Sequence, residues 1–110
     1  MESDQAIAAF SALSQATRLD ILRYLVAAEP AGARPGELSR DLELRPNTLS
    51  ANLTILLNAG LVCRRRDGRD VIYTANAKGL KALISFLLQD CCGGRPELCQ
   101  PAIDAVAIAS

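Results

Sequence analysis

Histidine is absent from this 110-residue sequence. No imidazole is available for general acid–base work, and every zinc site built with histidine is excluded. Aromatic residues are scarce, two Tyr and two Phe. The core must therefore be built from Ala, Leu, Ile and Val, a composition that suits helices. Net charge is missing too: twelve basic residues balance twelve acidic ones, so no global field attracts polyanions. No apolar run approaches the ~20 residues needed to span a bilayer. The acidic N-terminus lacks an uninterrupted apolar region and does not read as a secretory signal. The expectation is a cytoplasmic chain without membrane contact. Thiols there stay reduced, so clustered cysteines are more often metal-binding or catalytic than disulfide-bonded.

A chain of this length is one domain. A monomer of this size buries only about 65% of its unfolded surface, so a partner subunit would help it. The balanced charge is unevenly spread. Residues 1–33 hold Arg18 and Arg23 against Glu2, Asp4, Asp20 and Glu29, a net of −2. Residues 44–69 hold Arg45, Arg64, Arg65, Arg66 and Arg69 against Asp67 alone, a net of +4.

Periodicity places the elements. Ile7, Phe10 and Leu13 fall at helical spacing in an Ala-rich stretch, residues 4–13. Ser14 can cap a second helix with a stripe of Leu19, Leu22, Leu25 and Val26, ended by Pro30 and Gly32. A short third helix, "GELSRDL", carries Leu38 and Leu42. Pro46 opens a fourth, with Leu49, Leu53, Leu56 and Leu57 inward and Gly60 suited to its left-handed end. "LVCRRRDGRDVIYTA" predicts a hairpin, Leu61–Arg66 and Arg69–Ala75, around an Asp67-Gly68 turn. Cys63 alternates with apolar neighbours and reads as a small buried hydrophobe. Asn76 can cap a fifth helix with an apolar stripe of Leu80, Leu83, Ile84, Leu87 and Leu88. Gly93-Gly94 and Pro96 break it, and the closing residues can form another helical turn or two.

The order α-α-α-α-β-β-α is mainly α with a small β-hairpin. The third and fourth helices, joined by the short Glu43–Arg45 connection, form a helix-turn-helix, and a basic hairpin follows at once. This is the plan of a winged helix. The outer face of the fourth helix carries Asn47, Thr48, Ala51 and Thr54, with Ser50 at its edge. These short neutral side chains can hydrogen-bond base edges without blocking entry to the major groove. Arg45 stands before the helix, where a phosphate would lie. Arg64, Arg65, Arg66 and Arg69 at the hairpin tip can reach phosphates or the minor groove.

Residues 13–75 resemble the ArsR/SmtB family of winged-helix metalloregulatory repressors. The stretches that carry the likeness are "ATRLDILRYL", "GELSRDLELRPNTLSANLTILLNAGLV" and "RRRDGRDVIYT". The resemblance implies a homodimer, formed through the first and last helices, that sets two recognition helices in successive major grooves of double-stranded operator DNA. Two departures stand out. Asn52 occupies the place of the family's usual His before Leu53, a position that bears on operator preference. Gln15-Ala16 replaces the usual Asp-Pro before Thr17. The arsenic-sensing Cys-x-Cys pattern of the third helix is replaced by Arg34 and Gly36, and the zinc pattern of Asp and His on the last helix is absent.

The remaining effector candidate is Cys91, Cys92 and Cys99, which resembles the C-terminal three-cysteine site of some arsenite-responsive members. Zinc prefers four ligands. Trivalent arsenic or antimony keeps a lone pair and takes three thiolates in a pyramid, giving a neutral product. Adjacent cysteines are about 100° apart on a helix, so the helix must end near Cys91-Cys92. Gly93-Gly94 then permits the reversal that returns Cys99. The expectation is an As(III)- or Sb(III)-released repressor, with residues 1–90 as DNA-binding and dimerisation domain and 91–110 as effector tail. The alternatives are a Cys91–Cys99 or Cys92–Cys99 disulfide, a thiol-redox switch, a cadmium, lead or zinc sensor, or a tail without a role. A thiol enzyme is disfavoured: there is no Cys-x-x-Cys motif and no base.

Overall fold

The large side chains that are fully buried are Ile21, Leu25, Leu38, Leu49, Leu53, Leu56 and Leu61, and with Ala6, Ala9, Ala12, Val62, Ala75 and Leu83 they join five helices and a hairpin in one core. Burying each such side chain contributes roughly 1.5–3 kcal/mol. The computed structural model describes residues 1–90. Its elements are α1 (Ser3–Leu13), α2 (Ala16–Ala27), α3 (Pro35–Asp41), α4 (Pro46–Asn58), β1 (Val62–Asp67), β2 (Asp70–Ala75) and α5 (Ala77–Ser85). A π-helical turn, Phe86–Asp90, continues α5. The order is the one that the periodicity predicts.

α1 buries its smallest residues. Ala6, Ala9 and Ala12 face the core, while Ile7 is 65% and Phe10 42% exposed. Ser14 ends α1, donating its hydroxyl to the Ser11 carbonyl at 2.7 Å. The cap of α2 is Gln15 rather than Ser14: its side chain accepts from the Arg18 N–H at 2.9 Å. The α2 stripe is also rotated from expectation. Ile21, Leu22 and Leu25 are buried, but Leu19 and Val26 are exposed. At about 100° per residue these five apolar residues cover roughly 160° of the helix, so several phases satisfy the pattern. Packing on α4 and β2 selects one of them.

α3 and α4 each start with a proline at the first helical position. Tyr24 of α2 donates its hydroxyl to Asp41 at the end of α3. That bond pushes the Tyr24 phenol up and, with a second from the Arg40 guanidinium, holds the Asp41 carboxyl below its usual pKa. Between α3 and α4, Glu43 takes a left-handed conformation, φ 54°. A non-glycine residue there costs about 1–2 kcal/mol. On α4, Leu49, Leu53 and Leu56 are buried and Leu57 is half-buried. Gly60, φ 77°, turns the chain away after the helix.

The hairpin turn lies one residue later than the Asp67-Gly68 expected. Asp67 pairs with Asp70, leaving Gly68-Arg69 as the two-residue turn. Positive φ falls on Gly68 and not on Arg69, the pattern of type II′ rather than type I′. Cys63 is exposed, not buried. Of β1 only Val62 reaches the core, because nothing among the described residues covers the rest of that strand. The loop after α2 pins the hairpin from the other side: Ala33 and Tyr73 exchange two backbone hydrogen bonds at 2.9 Å.

Asn76 caps α5, accepting from the Gly79 N–H at 3.2 Å and donating to the Gly60 carbonyl at 2.8 Å. A Cβ on Gly79 would lie 2.0 Å from the Gly60 oxygen, so α5 begins directly on the end of α4. Leu83 is buried, whereas Ile84 and Leu87 are 45% and 44% exposed. No described helix is long and apolar enough to cross a membrane. Cys91, Cys92, Cys99 and the expected tail helix lie outside the described residues.

Candidate nucleic-acid interface

Asn47, Thr48, Ser50, Ala51 and Thr54 all lie exposed on the face of α4 opposite its leucines. Ile55, 41% exposed, adds an apolar contact to this face that the sequence pattern did not single out. Thr54 donates its hydroxyl to the Ser50 carbonyl at 3.0 Å, which leaves its oxygen free to accept. Arg45 is the residue before the first turn of α4 and is exposed. A helix start presents unpaired N–H groups, so a cation beside it suits a phosphate.

The four hairpin arginines do not form one cluster. Directly paired residues share a face, so Arg64 with Tyr73 and Arg66 with Val71 lie on one side and Arg65 with Ile72 on the other. Arg65 is turned back onto the body, donating to the Ala31 carbonyl at 3.2 Å. Arg69 occupies the turn itself. Among the described residues no acidic group lies within ion-pair distance of Arg45, Arg64, Arg66 or Arg69.

The acidic residues at the tip are paired with Arg34, which sequence reasoning treated only as a missing cysteine. Its guanidinium reaches Asp70 at 3.1 Å, Asp67 at 3.5 Å and Glu37 at 3.8 Å. Two carboxylates opposed across a hairpin repel. Arg34 offsets that repulsion and ties the hairpin to the start of α3, leaving the tip's remaining cations unopposed.

Asn52 departs from the other candidates. It is 8% exposed and is the buried polar residue among those described. Its Oδ1 accepts from the Arg18 guanidinium at 3.1 Å, and its Nδ2 donates to the Thr48 carbonyl at 3.0 Å. Arg18 also donates through Nε to the Ala12 carbonyl at 2.6 Å. A side chain so held reaches base edges only through the helix that carries it. The signal was present in the sequence: Asn52 sits three residues from Leu49 and four from Leu56, at the border of the buried face.

A helix-turn-helix whose second helix is outwardly short, polar and uncharged, followed by a hairpin with unpaired arginines, defines a winged helix-turn-helix of the DNA-binding class. The comparisons agree. Residues 13–65 match the helix-turn-helix domain family. The HTH-type transcriptional regulator Rv0081 of Mycobacterium tuberculosis is 36% identical over 77 residues, 69% of this chain. The chain spans 65% of that relative's length. The structure of HlyU from Vibrio cholerae is 34% identical and matches with a TM-score of 0.64 over 84% of this chain and 99% of that one. Its reduced form matches with a TM-score of 0.63, at 34% identity over 82% and 92% of the two chains. The homodimeric winged helix-turn-helix DNA-binding domain Mb0332 from Mycobacterium bovis is 27% identical, with a TM-score of 0.65 over 76% and 75% of the two chains. The chain belongs to the helix-turn-helix transcriptional regulators of the ArsR/HlyU type.

Proposed function

We propose that this protein is a transcriptional repressor that binds operator DNA as a homodimer and is released when As(III) or Sb(III) binds Cys91, Cys92 and Cys99. The observation that carries the DNA-binding part is the exposed α4 face beside Arg45, Arg64, Arg66 and Arg69, cations without an acidic partner among the described residues. α4 enters the major groove, Arg45 meets a phosphate, and the hairpin reaches the flanking backbone or minor groove. The homodimer is supported by Ile7 and Phe10 on α1 and Ile84 on α5, large apolar residues left 42% to 65% exposed. Mb0332, a homodimeric relative in fold, supports the same assembly.

The metalloid part rests on chemistry. Three thiols without imidazole suit a pyramidal three-coordinate ion better than a tetrahedral one. The tail that carries them follows α5, so a clamp formed there acts on a helix assigned to the dimer. A change in dimer geometry alters the spacing of the two recognition helices and weakens both half-sites together. Near-complete release requires a preference of about 5.5 kcal/mol between the two states.

Redox control of the same thiols is the alternative, favoured by one observation: HlyU, 34% identical, is described in a reduced form. A strictly anaerobic titration separates the two. Arsenite added to the reduced, DNA-bound protein should release the duplex, and Cys91→Ser, Cys92→Ser or Cys99→Ser should abolish release while leaving DNA affinity within about twofold. Release by peroxide or a disulfide reagent alone would establish the redox mechanism instead. Loss of the response in Cys63→Ser would contradict the assignment of the three tail thiols.

A further inference from the structure

We infer that Arg18 and Asn52 are positioning residues that set the orientation of α4 from the end of α1. Arg18 joins three elements. Its own N–H is held by the Gln15 cap at the start of α2. Its Nε bonds the Ala12 carbonyl in the last turn of α1, and its Nη1 bonds Asn52 Oδ1 on α4. The Asn52 amide then reaches the Thr48 carbonyl, one turn back on the helix whose outer face carries Thr48, Ala51 and Ser50. Every polar bond in this chain is directional, and the amide is used at both ends. Its oxygen must accept from a cation while its nitrogen donates to a carbonyl.

Neither a carboxylate nor an aliphatic side chain can do both. Arg18 is half-buried and finds oxygen acceptors rather than a carboxylate among the described residues. Removing the Asn52 acceptor therefore leaves a cation partly desolvated beside the recognition helix. α1 contributes an apolar face to the proposed dimer, so a shift of α1 on association is felt by α4 through this bond path. This inference rests on the DNA-binding function proposed above and extends it to residues that touch no DNA.

The test uses the full chain and a duplex enriched by the wild-type protein from a random-sequence pool, beside a scrambled duplex of equal length. Asn52→Leu and Arg18→Lys should each weaken binding to the enriched duplex at least tenfold. Binding to the scrambled duplex, the dimer mass and the salt slope should stay unchanged. The double substitution should be no weaker than the worse single one, because both break one path.

Asn52→His supplies a second readout. A neutral imidazole offers one donor and one acceptor, as the amide does, and an imidazolium offers donors only. Arg18 is the charged group that the described residues place in hydrogen-bond contact with position 52. Binding of Asn52→His should match wild type at pH 8 and fall severalfold at pH 5.5, while wild type changes less. Equal losses on both duplexes, additive losses in the double variant, or a flat pH profile in Asn52→His would overturn the inference while leaving DNA binding intact. Failure of the wild type to enrich any duplex would overturn the proposed function and this inference with it.

Discussion

Arginine carries the proposed phosphate contacts, and its copies in the hairpin are not equivalent. Arg65 is committed to the Ala31 carbonyl, whereas Arg64, Arg66 and Arg69 have no acidic partner among the described residues. Each cation that meets a phosphate adds about 0.9 to the slope of log affinity against log salt. Arg66→Ala or Arg69→Ala should therefore weaken binding to all duplexes and flatten that slope by about 1. Arg65→Ala should change the slope by less than half as much. Equal slopes across the three variants, read from binding isotherms at several salt concentrations, would contradict the division of roles. The residue scale was partly legible. The exposed α4 side chains follow from helical period, and the basic hairpin from composition. The turning of Arg65 onto the body and the anchoring of the tip depend on Arg65 meeting Ala31 and on Arg34 meeting Asp67 and Asp70, each across more than thirty residues, which no local pattern encodes.

Elements were legible in order and approximate extent, less so in phase. α4 shows its inner face plainly, because its leucines form one stripe and the opposite side is polar. α2 does not, because Leu19, Ile21, Leu22, Leu25 and Val26 admit more than one inner face until α4 and β2 choose. α1 hides its role further. Its alanines pack inward and its larger residues point out, the reverse of what burial by size alone would suggest. The junction of α4 and α5 gives a test at this scale. Gly79→Ala places a methyl against the Gly60 carbonyl, and overpacking of this kind costs about 1–3 kcal/mol. Chemical denaturation should show that loss. An unchanged midpoint would mean that α5 does not rest on α4 as described.

At the scale of the whole molecule, the proposed dimer covers the exposed Ile7, Phe10 and Ile84 with a second copy. Phe10→Asp should shift the dimer to monomer in sedimentation and weaken binding to a two-half-site duplex by an order of magnitude or more, with the fold retained by circular dichroism. A persistent dimer would move the interface off α1. The central claim is that two copies of α4 read one duplex together. The direct measurement is a hydroxyl-radical footprint of reduced protein on the duplex that it enriches from a random pool. Two protected segments centred about 10–10.5 base pairs apart, or a multiple of that, with pseudo-palindromic sequence, are the predicted result. A single protected tract without internal symmetry, or no enriched sequence at all, would contradict it.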